Sequence, residues 1–435
     1  MATAATTAAL APLVFVPRAT FPALASLPRS YFLGHHKAGL DRMKTLLAHI
    51  DLVIECRDYR IPLTSRNPLL EHGLAGKQRL VVYTKRDLGV TPGRERVRLP
   101  SSPGSHTPVS PLGARTSVLT RHHHYQAAHA HDRTIRAWHA PTPVHFSSVV
   151  ATDASPGAGG RGARAGSAPG ASTAALLATL RDFAGARHSL TGHRVLVAGM
   201  PNVGKSTLLN ALRGAGVHRG KAARTGAQPG VTRRVGTGVK VLTGADVEAA
   251  RAGSGDGGSD TGAGAGAGAG AGSEGVYVLD TPGVFMPYVP DGTAMLKLAL
   301  CGCVKDGVIP LATLADYLLF RLNLVSPLLY SRWAAPTNDV HALLAGVARA
   351  TGRLGRGGAL DLDAAAVWLV QRWRAGDVGR FSLDEGLDDE SALERERERE
   401  RGEGAVSVNQ ARKREMEARK VRNRERGMRK KGLLV

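Results

Sequence analysis

The chain has 435 residues, 43% of them hydrophobic, enough for two or three domains with cores of their own. Its 58 Lys and Arg outnumber 36 Asp and Glu, and the formal net charge of +22 points to a polyanionic partner, nucleic acid before an anionic membrane surface. Three cysteines, Cys56, Cys301 and Cys303, exclude a disulfide framework, and the Cys301/Cys303 pair lacks a second metal-ligand pair nearby, so those two read as buried structural thiols.

Residues 1–29 contain no Asp or Glu, are rich in Ala, Thr, Ser and Leu, and carry Arg18 and Arg29. That is the composition of an organelle transit peptide, with the mitochondrion preferred and the plastid as alternative. Its apolar run 10–16 is too short to span a bilayer, and no later segment reaches about 18 uninterrupted apolar residues, so a transmembrane segment is not expected. Asp51–Cys56 and Arg79–Thr84 are β-branched runs that predict strands. Residues 89–142, rich in Pro, Ser, Arg and His, read as a surface insertion, and the histidines at 122–124, 129 and 131 within it as solvated rather than metal-bound. Val144–Phe146 predicts a short strand leading to Ser147 and Ser148. Residues 151–172 read as a Gly/Ala/Ser linker, and Ala174–Phe183 has helical spacing.

Arg194–Gly199 predicts a third strong strand, followed by a glycine loop and Thr207–Leu212 in helical register. Arg234–Leu242 and Val276–Asp280 predict a hairpin swollen by an insertion over 243–274, which contains the Gly-Ala repeat 262–272. From Thr293 the spacing turns helical, with helices over 313–322, 341–351 and 363–373 and Gly376 as a stop. A separate α-helical domain is therefore expected over 291–385. Residues 386–435 form a charged tail, Glu and Arg alternating over 394–401 and eleven Lys/Arg against three Glu over 411–435.

The strongest chemical signal is the segment from Gly199 to Ser206, a phosphate-loop pattern between a strand and a helix. Backbone N–H groups from Asn202, Val203 and Gly204 through Thr207 would surround the phosphates at the helix N-terminus. Lys205 would pair with β- and γ-phosphate oxygens, and Ser206 would give its hydroxyl to Mg²⁺. Asp280 opens an Asp-Thr-Pro-Gly segment; its carboxylate can hold Mg²⁺ and the Gly283 N–H can meet the γ-phosphate. Thr232, between the two, is a candidate to complete the metal shell. Thr84, Lys85, Arg86 and Asp87 address the base: a carboxylate accepts both guanine N1–H and N2–H₂, a donor pair that adenine lacks. The rival reading of that string is a solvated turn. Ser147 and Ser148 are candidates for the contact to guanine O6.

The base motif thus precedes the phosphate loop and the Asp-Thr-Pro-Gly motif. That order resembles the YlqF/RbgA-type circularly permuted ribosome-assembly GTPases, most closely their mitochondrial members. Matching stretches are 31–35 (YFLGH), 58–62 (DYRIP) with 65–68 (SRNP), the phosphate loop, 229–232 (PGVT), 280–283 and 304–306 (VKD), over about residues 30–385. The resemblance implies an α/β fold, a circularly permuted Ras-like P-loop GTPase domain over 30–290 followed by a C-terminal α-helical RNA-contacting domain. It implies GTP and Mg²⁺ as ligands, with K⁺ at Asn202 as a candidate. Val284 follows Gly283 where a GTPase of the Ras type has a water-orienting glutamine, so intrinsic hydrolysis should be slow and the ribosomal particle the activator. In the family a histidine has been proposed to take over; His35 occupies the matching place. The following His36-Lys37 departs from the family's usual Met-Ala and makes His36 the alternative. Thr84 stands where the family usually has Asn, a change expected to loosen the tether of the base motif to the phosphate loop. The resemblance implies a monomer that binds the large ribosomal subunit and its rRNA. A GTP-gated scaffold that barely hydrolyses and a peripheral inner-membrane factor are the rival functions.

Overall fold

A computed structural model describes residues 15–89, 131–147, 170–253 and 275–384, apart from positions 23, 25, 26, 32, 33, 75, 224, 225, 227–231, 233, 234, 287 and 290, together with 413 and 416. The Leu/Val/Ile run of β1 (Leu52–Asp58) is buried along its whole length, and β2 (Arg79–Thr84) nearly so. Burial of both faces is the signature of a parallel sheet covered by helices on each side. These strands join β3 (Val144–Phe146), β4 (His193–Gly199), β5 (Val239–Leu242) and β6 (Val276–Asp280) in one sheet of order β3-β2-β1-β4-β6-β5. All pairings are parallel except β5 with β6, which is antiparallel with a register shift between Lys240 and Leu242. The expected hairpin is therefore present, its first strand starting at Val239 rather than Arg234.

Helix α1 (Gly34–Leu46) buries Leu40 and Met43 in a core with Ile50, Val53, Leu196, Ala198 and Val284. Helix α2 (Pro68–Gly73) adds Leu70 to that core and is capped by Asn67, whose Oδ1 accepts from the N–H groups of Leu69 and Leu70. The short helix α3 (Arg86–Gly89) follows β2. Helix α5 (Ala171–Gly185) crosses back to β4, and α6 (Lys205–Gly216) leaves the phosphate loop.

Two expected insertions contain structure. Residues 131–139 form a helix, α4, and bury Ile135 against Tyr59, Val81 and Tyr83. Its three apolar residues, Ile135, Ala137 and Trp138, are bunched without helical spacing in a His- and Arg-rich stretch, which gave this helix too little periodicity to stand out. Helix α7 (Gly244–Gly253) occupies the start of the 243–274 insertion and packs on α5, where a Cβ on Gly185 would lie 3.2 Å from Ala250 Cβ. Its start is a reciprocal cap: the Thr243 N–H donates to Asp246 Oδ2 (2.8 Å) and the Asp246 N–H to Thr243 Oγ1 (3.3 Å), a spacing that was there to be read. The repeat over 262–272 and the histidines at 122–124 and 129 lie outside the described residues.

The chain divides into two compact units. One comprises residues 25–308 with 380–435, the other residues 1–24 with 309–379. Helix α8 (Gly292–Leu300), expected in the helical domain, belongs with the sheet: its Lys297 pairs with Asp384 at 3.1 Å in the same unit. The helical unit holds α9 (Leu311–Val325), α10 (Val340–Thr351) and α11 (Leu362–Ala375). Asp339 and Asp361 cap α10 and α11, and Gly352 and the expected stop Gly376 end them in left-handed conformation. Cys56, Cys301 and Cys303 are buried, and burial pushes the thiols of Cys56 and Cys303 up to about 12 and about 11. Among the described residues no helix is long and apolar enough to cross a membrane, and no His/Cys/Asp/Glu cluster could hold a metal.

Candidate nucleotide site

The sheet carries the chemistry-bearing residues at the C-terminal ends of its parallel strands, where open α/β sheets bind ligands. Asp58 ends β1, Thr84 ends β2, Ser147 follows β3, Gly199 ends β4 and Asp280 ends β6.

The loop from β4 to α6 needs its glycines. A Cβ on Gly199 would lie 2.4 Å from the Cys56 carbonyl oxygen. Gly204, just before α6, has φ of 90°, and Asn202 has φ of 56°. These left-handed turns direct successive backbone N–H groups into one concavity, an anion cradle completed by the α6 N-terminus. Lys205 is buried, its ammonium donating to the carbonyl oxygens of Met200 (2.6 Å) and Gly199 (3.3 Å). Burial pushes its pKa down against the pull of Asp280, so an arriving phosphate meets a desolvated cation.

Ser206, Thr232 and Asp280 converge. The Ser206 hydroxyl donates to Asp280 Oδ2 at 2.6 Å, and Thr232 Oγ1 lies 3.2 Å from Ser206 Oγ and 3.4 Å from the same carboxylate oxygen. Asp280 Oδ1 is buried without a hydrogen-bond partner. A buried carboxylate oxygen beside two hydroxyls is a hard-oxygen donor set, which fits Mg²⁺. Bound there, the ion would neutralise phosphate charge during transfer. The Thr281 hydroxyl donates to the Val197 carbonyl (2.6 Å) and holds this segment on β4. A Cβ on Gly283 would lie 2.4 Å from Pro201 Cα, so a glycine is required where the segment meets the phosphate loop.

The base motif is tied to that loop. The Thr84 hydroxyl lies 2.5 Å from the Val203 carbonyl, to which it donates, and 3.1 Å from that of Arg57. The expected loosening at Thr84 is thus not what the geometry shows: the hydroxyl makes the tether directly. Lys85, with φ of 58°, donates to the Asn202 carbonyl at 2.6 Å and to Asp58 Oδ2 at 3.0 Å. The Arg86 side chain pairs with Asp132 of α4 at 2.7 Å, which gives it a place in the scaffold rather than on the base. Asp87 Oδ1 and Ser147 Oγ are both buried without hydrogen-bond partners, as a guanine-reading carboxylate and its neighbour should be. Burial raises the Asp87 carboxyl above its ordinary 3.8, opposed by a hydrogen bond from its own backbone N–H and by Arg380. The Ser147 carbonyl accepts from the Arg86 N–H at 3.1 Å, joining the β2 and β3 ends; Ser148 lies outside the described residues.

Spacing gave no role to the Asp58-Tyr-Arg segment. Arg60 forks onto Asp58 through Nε (3.0 Å) and a terminal nitrogen (2.8 Å), both residues fully buried. Burial alone would raise the Asp58 carboxyl; Arg60 and Lys85 outweigh it and hold it far below the usual range. Asn210, one helical turn beyond Ser206, was also missed. It accepts from the N–H groups of Ala222 and Ala223 and donates to the Ala223 carbonyl, holding the chain that leads toward Thr232.

Val284 is fully buried in the α1 core, its N–H donating to the Gly199 carbonyl (3.1 Å) and its carbonyl accepting from Asn67 Nδ2 (2.8 Å). His36 is buried, its Nδ1 accepting from the Phe285 N–H at 3.4 Å, and its ring lies 5.9 Å from that of Tyr31. His36 therefore supports the backbone after Val284. His35 lies in the first turn of α1, its side chain outside the described residues.

The phosphate loop and the candidate metal oxygens and base carboxylate lie at the strand ends of one sheet, with the strand of the candidate base motif earlier in the chain than the phosphate loop, and this defines a circularly permuted Ras-like P-loop GTPase. The family described as 50S ribosome-binding GTPase matches residues 194–311. Mitochondrial GTPase 1 of Schizosaccharomyces pombe is 32% identical over 374 residues, 86% of this chain and 94% of that protein. Mitochondrial ribosome-associated GTPase 1 of Xenopus tropicalis is 27% identical over 81% of this chain and 94% of its own length. A structure of GNP-bound YlqF from T. maritima is similar over 79% of this chain and 96% of its own, with 18% identity and a TM-score of 0.39. The chain belongs to the mitochondrial GTPase 1 family and is a GTPase.

Proposed function

We propose that this GTPase works in the mitochondrial matrix on the large ribosomal subunit, binding its rRNA during assembly and leaving when GTP is hydrolysed. The observation that carries the reading is Val284. A side chain fully buried in the α1 core cannot orient an attacking water, so rapid hydrolysis needs a contribution from outside the nucleotide loops. A ribosomal particle is the activator favoured by the net charge of +22 and by the names of the relatives. The naming of those relatives as mitochondrial supports that compartment over the plastid. His35, near the start of α1, and K⁺ held through Asn202 are the two local candidates for the missing catalytic contribution. GTP would hold the segment around Thr232 in its RNA-binding state through the oxygens of Ser206 and Asp280, and Lys205 and the Gly283 N–H would bear on the γ-phosphate. The helical unit and the basic tail would meet RNA, with the protein acting as a monomer.

Single-turnover GTP hydrolysis with and without purified mitochondrial large subunits tests this. The expected result is a strong increase with the subunit, smaller when K⁺ is replaced by Na⁺. An unchanged rate would replace this reading with a GTP-gated RNA scaffold.

A further inference from the structure

The stretch 16–29 has the composition of the end of a leader, yet its described residues are packed within the units they belong to, up to residue 24 in the helical unit and from residue 27 in the sheet unit. In the helical unit, Arg18 pairs with Asp316 on α9 at 2.6 Å through one guanidinium nitrogen, and a second nitrogen reaches the other carboxylate oxygen at 3.3 Å. Asn338 clamps the backbone beside it: its Nδ2 donates to the Val16 carbonyl (2.9 Å) and its Oδ1 accepts from the Arg18 N–H (3.3 Å). This reciprocal amide pairing reads backbone the way a neighbouring strand would. Phe21 sets its ring edge-on to Tyr317 at 5.2 Å and 5.7 Å from Phe320, while the Arg18 guanidinium lies over the Phe21 ring at 5.6 Å. Tyr317 is fully buried and Phe320 nearly so. In the sheet unit, Leu27 is buried and the Arg29 carbonyl accepts from the Val289 N–H at 2.8 Å.

A leader cleaved at its compositional end near residue 29 would remove all of these partners. It would leave the Asp316 carboxylate without Arg18, the Asn338 amide without its backbone, and the Tyr317 and Phe320 rings without Phe21. Residues 1–17 contain no Lys or Arg, so the positive charge an import signal needs is carried by Arg18 and Arg29, the same residues the fold uses.

We propose that residues 16–29 are retained in the mature protein, with Val16–Phe21 as a strap on α9 and Arg29 held to Val289, and that any processing cut falls before Val16. Arg18 then has two successive uses, as import charge while the chain is unfolded and as the partner of Asp316 once it has folded. The import half of the proposal rests on the mitochondrial reading above; the strap half does not.

Mass spectrometry of the N-terminus of the protein isolated from its own cells decides the point, with fractionation of the same cells giving the compartment independently. An N-terminus at or before Val16 is the expected result, and one at Pro17 or later overturns retention. Absence from mitochondria would sink the compartment and leave the position of the N-terminus readable. For the strap itself, thermal unfolding of the full chain is compared between wild type, Arg18→Glu, Phe21→Ala and Arg18→Lys. The first two should lower the melting temperature by on the order of 3–6 °C, with Arg18→Lys falling between them and wild type. Unchanged melting in both Arg18→Glu and Phe21→Ala overturns the strap.

Discussion

At the residue scale, Asp87 gives a pH dependence with a definite sign. Burial raises its carboxyl above the ordinary 3.8 in the nucleotide-free protein. Its folded pKa therefore exceeds the unfolded one, and the contribution of this one group to the stability of the free protein is lost as pH rises through the folded value. In the proposed role of Asp87 guanine requires the carboxylate, so binding would expel a proton below that value. GTP affinity should climb up to about tenfold per pH unit from the ordinary Asp range to the raised one and then level off. Asp87→Asn should abolish the slope and weaken GTP binding roughly 100-fold, the cost of losing hydrogen bonds to a charged acceptor. XTP, which presents an acceptor where guanine has its amino group, should bind the variant better than GTP does; competition titration of the two nucleotides checks both points. Val284→Gln gives the opposite kind of outcome. Restoring a glutamine should not raise intrinsic hydrolysis, because the position faces the core. It should cost about 1–3 kcal/mol for a buried amide without partners, read as a lowered urea midpoint.

At the element scale, close approaches of backbone to backbone hold each unit. In the helical unit, a Cβ on Gly346 would lie 2.0 Å from the Trp333 carbonyl oxygen, so α10 can rest on that turn only with glycine there. Gly346→Ala should therefore cost about 1–3 kcal/mol by overpacking, with GTP affinity unchanged; unfolding by circular dichroism and nucleotide titration separate the two readouts. In the sheet unit, the residues after the helical segment return to the strand ends. The Leu383 N–H donates to the Arg60 carbonyl (2.7 Å), and Asp384 accepts from the N–H groups of Leu63 and Thr64. Arg60 in turn holds Asp58, which receives Lys85 of the base motif. Most strands, β2, β3 and β6 among them, were legible within a residue or two because β-branched runs bounded by turns are local signals. Helices α4 and α7 were not, because each hides in a stretch whose composition reads as insertion.

For the whole molecule, the net charge of +22 is the property that reaches beyond the fold. Eleven Lys/Arg against three Glu over 411–435 should make subunit binding fall steeply with salt through counterion release. Removing residues 411–435 should weaken cosedimentation with the large subunit and flatten its salt dependence. Persistence of that binding together with loss of binding to anionic liposomes would assign the tail to a membrane surface instead.

By itself the sequence determined the nucleotide chemistry. A phosphate loop and the candidate metal-holding and base-reading carboxylates are each written in a few contiguous residues, and their order along the chain makes the permutation visible. Only the tertiary structure decided which neighbouring residues serve that chemistry. It turned Val284 into the core, gave Arg86 to Asp132, and set His36 beneath Phe285. It placed Asp384 against Thr64 and Arg18 against Asp316, pairs 320 and 298 positions apart in the chain. Side-chain partnerships across such separations leave no periodicity or spacing to read, because they are set by which strands and helices the fold brings side by side.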